Sequence, residues 1–209
     1  MDDGLIGIDE SGKGDYFGPL VIAACYVGPE HLAELEGVVD SKKLTDKTAT
    51  ELAIRIKQAC PHSVVAIGPA KYNELYDKFR NLNKLLSWGH AQAIENVLKE
   101  QPSKEAISDR FGDPSTILYY LKNKVIAINL TSVVRGESAH IAVAAASVLA
   151  RAEFLRRLKK LSEEFGIDLP KGATHVIEPG KRFVAKHGAE ALANVAKLHF
   201  RTTEQVTRG

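Results

Sequence analysis

Residues 4–27 open on an apolar run, Gly4-Leu5-Ile6-Gly7-Ile8, that ends on two adjacent carboxylates, Asp9 and Glu10. The chain then passes through Ser11-Gly12-Lys13-Gly14 into a second apolar run, Pro19–Val27. Runs rich in Ile, Val and Leu and bounded by glycine and proline read as buried strands, so the simplest expectation is a hairpin joined by a glycine-rich turn. Successive side chains of a strand point to opposite faces. Asp9 and Glu10 therefore reach one centre only if the strand stops at Asp9 and Glu10 already belongs to the turn. Gly12 and Gly14 permit the tight backbone that such an ending needs.

Beyond the turn the periodicity changes. Ala49, Leu52, Ala53, Ile56 and Ala59 share one helical face, with Thr45 placed to cap the start and Pro61 to end it. A short strand is expected over 63–67. Leu82, Leu85, Leu86, Gly89, Ala93 and Val97 then predict a second amphipathic helix reaching about residue 100. Strands are expected over 105–108 and 125–130, with a small helix over 116–122 between them. A long helix follows over 140–165, stopped by Gly166. Its start, "AVAAASVLARA", is alanine-rich, so another backbone can approach it closely. Two shorter helices complete the chain around the loops at Lys171-Gly172 and Pro179-Gly180. Strands alternating with helices predict an α/β fold with a mixed central sheet flanked by helices. The 209 residues suffice for one domain, its core reaching about residue 165 and a helical part occupying 166–209.

The sites of interest are the strand ends. Asp109 follows the apolar 105–108 stretch, and Glu137 sits in "RGES", between the 125–130 strand and the long helix. Three separate strand-to-loop transitions thus deliver carboxylates, where α/β sheets gather ligands. Clustered carboxylates cannot all ionise without a cation between them, and hard oxygen ligands suit Mg2+ or Mn2+. Two such ions about 3.5–4 Å apart stabilise the attacking and leaving oxygens of a phosphoryl displacement. Any one of these acids alone reads as a solvated turn residue. The Asp9-Glu10 pair resists that reading, because it closes an apolar strand.

The formal charge of +2, from 28 basic and 26 acidic residues, leaves nucleic acid open as a partner, because clustering matters more than the sum. From Lys171 onward the chain is basic and carries histidines, giving a local positive face. Cys25 and Cys60 show no metal-binding spacing and read as buried thiols of a reducing compartment. The acidic start, Met1-Asp2-Asp3, is unlike a signal peptide, and no apolar run reaches the roughly 18 residues of a bilayer span. A soluble, cytoplasmic protein without membrane contact is expected.

Four ordered segments, "GIDESGKGDYFGPLVIAA", "DSKKL", "NLNKLLSWGHAQAIENVL" and "RGESAHIAVAAASVLARAEFL", resemble the type 2 ribonucleases H over nearly the whole chain, and most of all the bacterial ribonuclease HIII branch. The resemblance implies a ribonuclease H-like fold that cuts the RNA strand of RNA–DNA hybrids with two divalent ions, Mg2+ or Mn2+. It implies 5′-phosphate and 3′-hydroxyl products. A monomer is expected. Asp9, Glu10, Asp109 and Glu137 match the family's four metal-binding, catalytic acids. Glutamate at 137 and Lys13 between glycines fit HIII, where the HII branch has Asp in a similar "KGDS" setting and usually Arg between the glycines. The alternative is HII-like incision at single ribonucleotides embedded in duplex DNA. HIII enzymes generally add an N-terminal domain resembling the TATA-binding protein. This sequence begins a few residues before the first strand, so a grip on the hybrid through such a domain is not expected of it.

Further residues become candidates for holding the substrate. Ser11, Gly12, Lys13 and Gly14 offer backbone N–H groups and one ammonium where glycines let phosphate or sugar come close. In the family this loop contacts the minor groove, where 2′-hydroxyls distinguish RNA from DNA. Ser41, Lys42 and Lys43 offer phosphate contacts. Asn81, Asn83 and His90 are candidates for the DNA strand or minor groove, Ser147 for the backbone, and Lys171, with His175 and Arg182, for a positive face. Tyr16, Tyr72 and Trp88 read as packing residues.

Overall fold

In the computed structural model, which describes residues 4–109, 112–122 and 128–208, the two opening apolar runs form β1 (Leu5–Ser11) and β2 (Leu20–Val27). They are neighbours in a five-stranded sheet of order β3-β2-β1-β4-β5. The remaining strands are β3 (His62–Ile67), β4 (Glu105–Asp109) and β5 (Asn129–Val133). β4 lies parallel to β1, and β5 parallel to β4. Parallel neighbours require long crossovers. Here α1 (Asp46–Ala59), α2 (Pro69–Phe79) and α3 (Leu82–Glu100) precede β4, and α4 (Pro114–Lys122) joins β4 to β5. Then come α5 (Gly136–Ala139), α6 (Ile141–Phe165), α7 (Ile177–His187) and α8 (Thr202–Thr207).

The expected α/β class and most elements are present, with differences at several points. α2 occupies a stretch for which the sequence reading predicts no element; Pro69 opens it and the left-handed Arg80 closes it. The strand expected over 125–130 is found as β5 from Asn129, while residues 123–127 lie outside the described residues. β5 is a partly exposed edge strand of mixed polarity, so apolar content does not mark it.

The chain divides into two compact units. One comprises the chain up to Glu10 together with Ile22–Val65 and Asn81–Ala152; the other comprises Ser11–Val21, Ala66–Arg80 and the chain from Glu153 on. The division recurs along the chain rather than falling once near residue 165.

In the first unit Thr45 caps α1 by accepting the Thr48 N–H at 3.1 Å, and Ala49, Leu52, Ala53 and Ile56 are buried as the periodicity predicts. The alanine-rich start of α6 lies directly against β1. A Cβ added to Gly7 would sit 2.0 Å from the Ala142 carbonyl carbon and 2.2 Å from the Val143 nitrogen. Cys25 and Cys60 are buried free thiols.

In the second unit the residues after the glycine turn are pinned by the C-terminal segment. Tyr16 N–H donates to Gly172 O and Gly18 N–H to Val195 O, each at 2.9 Å, and Phe17 bridges Ala196. The ammonium of Lys197 is fully buried, donates to Asp15 O and Gly18 O at 2.8 Å each, and lies 5.6 Å from the centre of the Tyr72 ring. Tyr16 and Tyr72 are fully buried, as expected of packing residues.

Candidate active site

All four candidate acids belong to the first unit. The parallel register of β1 and β4 pairs Ile8 with Ser108, and one residue further along it brings Asp9 beside Asp109. β1 runs on through Ser11, so Glu10 is still strand and not yet turn. Glu10 nevertheless has its own anchor: the Nε2 of the fully buried His90, on α3, lies 3.1 Å from its Oε2. Asp9 is buried and accepts the Glu10 N–H at 2.8 Å. Asp109 Oδ1 accepts the Gly136 N–H at 2.9 Å, which fixes the loop after β5 against the end of β4. That bond places the next residue, Glu137, at the cluster, buried in the short α5.

The electrostatics follow from the crowding. Burial, the charge of Glu10 and, more weakly, those of Asp109 and Glu137 push the Asp9 carboxyl well above the usual carboxylate range. Burial also pushes Glu137 upward, but hydrogen bonds from its own N–H, Lys42 and Asp109 outweigh it and hold Glu137 below that range. Lys42 reaches Glu137 Oε1 at 3.1 Å, although its own side chain is largely exposed. It is held there by its neighbour: Ser41 N–H donates to Ser147 Oγ at 3.2 Å, and Arg151 donates to Ser41 O and pairs with Asp46 at 2.6 Å.

The residues suit a hard divalent cation. The donor set is all carboxylate oxygen, Asp9 is buried among like charges, and Glu137 Oε2 is a buried acceptor with no hydrogen-bond partner among the described residues. The side chains are not already drawn into a chelate: among the described residues, no three His, Cys, Asp or Glu groups converge enough to hold one ion. Lys42, His90 and the Gly136 N–H occupy carboxylate oxygens that a cation would share.

The remaining candidates separate into groups. Lys42 and Lys43 are exposed, whereas Ser41 is buried beneath them. Asn81 accepts the Lys84 N–H to cap α3, and the exposed Asn83 lies beside Gly112. Two expectations are corrected. His90 is fully buried and orients Glu10, so it does not face nucleic acid. Ser147 is buried, and its hydroxyl accepts from Ser41 and donates to Ala144 O, so it braces the Lys42 loop instead.

Ser11, Gly12, Lys13, Gly14 and Lys171 lie in the second unit. Gly12 has φ +86° and an added Cβ would sit 2.2 Å from Pro19 O, whereas Gly14 has open space. Gly172 N–H donates to Asp15 Oδ1 at 2.6 Å, bringing the exposed Lys171 to the glycine turn. His175 and Arg182 are exposed. Sequence reasoning missed the role of Gly136 and the buried Lys197; His90, four residues after the buried Leu86 on the core face of α3, did carry a periodicity signal for burial.

With this geometry in view, a family model described as Ribonuclease HII matches residues 6–203. A ribonuclease HIII from Protochlamydia amoebophila is 47% identical over 204 residues, covering 96% of this chain and 67% of the relative. One from Chlamydia pneumoniae is 44% identical, covering 98% of this chain and 70% of the relative. Among solved structures, Bst-RNase HIII in complex with Mn2+ superposes with a TM-score of 0.90 at 34% identity, covering 97% of this chain and 68% of that one.

Proposed function

Because the chain belongs to the ribonuclease HII family and is a ribonuclease H, we propose that it hydrolyses the RNA strand of RNA–DNA hybrids from within. The relatives bear the ribonuclease HIII name, and one solved neighbour holds Mn2+. The observation that supports the reading is the parallel pairing of β1 with β4 up to Ile8 and Ser108, with Asp9 and Asp109 next in line and the buried, half-satisfied Glu137 following the Gly136 N–H that Asp109 accepts.

In this reading Asp9, Glu10, Asp109 and Glu137 would hold the divalent ions, and Glu137 could alternatively orient the attacking water. Divalent ions, Mg2+ or Mn2+, supply Lewis acidity and a lowered water pKa when bound there. The chain's own part is orientation. His90 fixes Glu10, the Gly136 N–H fixes Asp109, and the Glu137 N–H with Lys42 favours the charged form of Glu137. Water adds to phosphorus and the bond to the 3′ oxygen breaks, leaving a 3′-hydroxyl and a 5′-phosphate. Contacts to sugar and phosphate are offered by the glycine turn with Lys13 and Lys171 in one unit, and by Lys43, Asn81 and Asn83 in the other. A cytoplasmic monomer suits this role, and among the described residues no helix is long and apolar enough to cross a membrane.

Cleavage of a labelled hybrid with Mg2+ or Mn2+ tests the proposal. Asp9→Asn is expected to lose at least about a hundredfold in turnover while remaining folded, since one oxygen of the carboxylate becomes a poor ligand. Undiminished cleavage by that variant would sink the mechanism. The same assay on a duplex with one embedded ribonucleotide separates the two specificities: efficient incision there, with weak cutting of the full hybrid, would replace this reading with the junction-type one.

A further inference from the structure

Two non-glycine residues among those described adopt the left-handed backbone, Arg80 and Arg135. Arg80 needs no special account. It closes α2 with its N–H on Tyr76 O at 2.7 Å, where a left-handed residue commonly ends a helix. Arg135 sits instead before the first turn of α5, with φ 55° and ψ 45° and no side-chain cap. That position ordinarily takes an extended backbone and a short capping side chain.

The backbone conformation itself has a clear use. It turns the chain so that the Gly136 N–H meets Asp109 Oδ1, while Arg135 O accepts the Ser138 N–H at 3.0 Å. Glycine would make the same turn without steric cost, and asparagine with little. The turn therefore explains the dihedral angles but not the arginine. Strain of this kind persists at functional sites when the side chain is needed.

The side chain is left available by its surroundings. The Arg135 side chain is exposed and has no hydrogen bond or ion pair to another described residue. It stands two residues ahead of Glu137, and the Cβ position of its neighbour Gly136 lies 3.6 Å from the Asp109 Cα. The other cation at the cluster, Lys42, is engaged by Glu137. A phosphodiester approaching four carboxylates needs a positive partner that the acids have not already taken, and the planar fork of arginine matches two phosphate oxygens.

We propose that Arg135 is a substrate-binding residue whose guanidinium grips a backbone phosphate of the nucleic acid at the carboxylate cluster. This rests on the hybrid-cleaving function proposed above. The test compares the wild-type chain with Arg135→Gly and Arg135→Lys in three measurements: thermal unfolding, hybrid binding by fluorescence anisotropy across a salt series, and KM against kcat. Arg135→Gly is expected to melt about 2–4 °C higher as the strain is relieved. It should also bind about tenfold more weakly, with the slope of log affinity against log salt reduced by about one. Arg135→Lys should keep the wild-type melting temperature and salt slope and lose only part of the affinity. A glycine variant with wild-type KM, affinity and salt slope would overturn the proposal. Binding is read without turnover, so a wild-type chain that binds hybrid but does not cut it counts against the parent function alone.

Discussion

His90 has no exposed surface, yet its ring nitrogen meets the carboxylate of Glu10 at 3.1 Å. A histidine held in the core of α3 cannot read a groove; it can only set where Glu10 points. Partners of metal-binding carboxylates that orient them typically cost 10–100-fold in metal affinity or activity when removed. His90→Ala should accordingly raise the Mn2+ concentration for half-maximal hybrid cleavage by about 10–100-fold, and His90→Gln, which keeps a donor, should recover part of it. An unchanged Mn2+ requirement in a folded His90→Ala protein would remove the positioning role. The same logic separates Ser147 from the substrate list, because its hydroxyl is spent on Ser41 and Ala144.

At the scale of elements, the close approach of β1 and α6 is set by residues with almost no side chain. Gly7 meets the backbone of Ala142 and Val143 directly, and the alanines that follow are buried. This strand carries Asp9 two residues later, so the position of the site depends on that contact. Gly7→Ala forces backbone to move, with no flexible side chain to yield, and overpacking of this kind costs about 3 kcal/mol. An unfolding free energy from chemical denaturation lowered by that amount, with cleavage reduced in the remaining folded protein, is the expected result. A neutral substitution would mean that α6 can shift without penalty.

For the whole molecule, the buried Lys197 couples stability to pH. Burial pushes its ammonium down to about 7 against the opposing charge of Asp15, while in the unfolded chain it titrates near 10.5. Below pH 7 both states hold the proton and the cost of burying charge is felt in full. Between 7 and 10.5 the unfolded chain binds more protons, so stability rises with pH across that window. At 1.36 kcal/mol per unit the rise is on the order of a few kcal/mol. Burial raises the Tyr72 phenol, which reverses the trend above about pH 10, since the unfolded tyrosine ionises first. Urea midpoints measured from pH 6 to 10 should climb for the wild type and stay flat over the same window for Lys197→Met; equal slopes would show that Lys197 is not the source.

Much of this molecule was legible from local pattern. The apolar run ending in Asp9-Glu10, the α1 and α3 periodicities, the Thr45 cap, the Gly166 stop and the alanine-rich face of α6 are short-range features, each governed by backbone geometry or by one buried face. Those residues alone pointed to an acidic site on an α/β sheet. The rest depends on contacts between residues far apart in sequence. The β1–β4 register put Asp9 beside Asp109, and a backbone N–H from Gly136 brought Glu137 to them. Burial turned His90 and Ser147 inward. Division of the chain into two units, entered alternately, was equally invisible in composition. A residue's type and spacing decide which chemistry it offers; only packing decides which of its neighbours use that chemistry up and which leave it for a substrate.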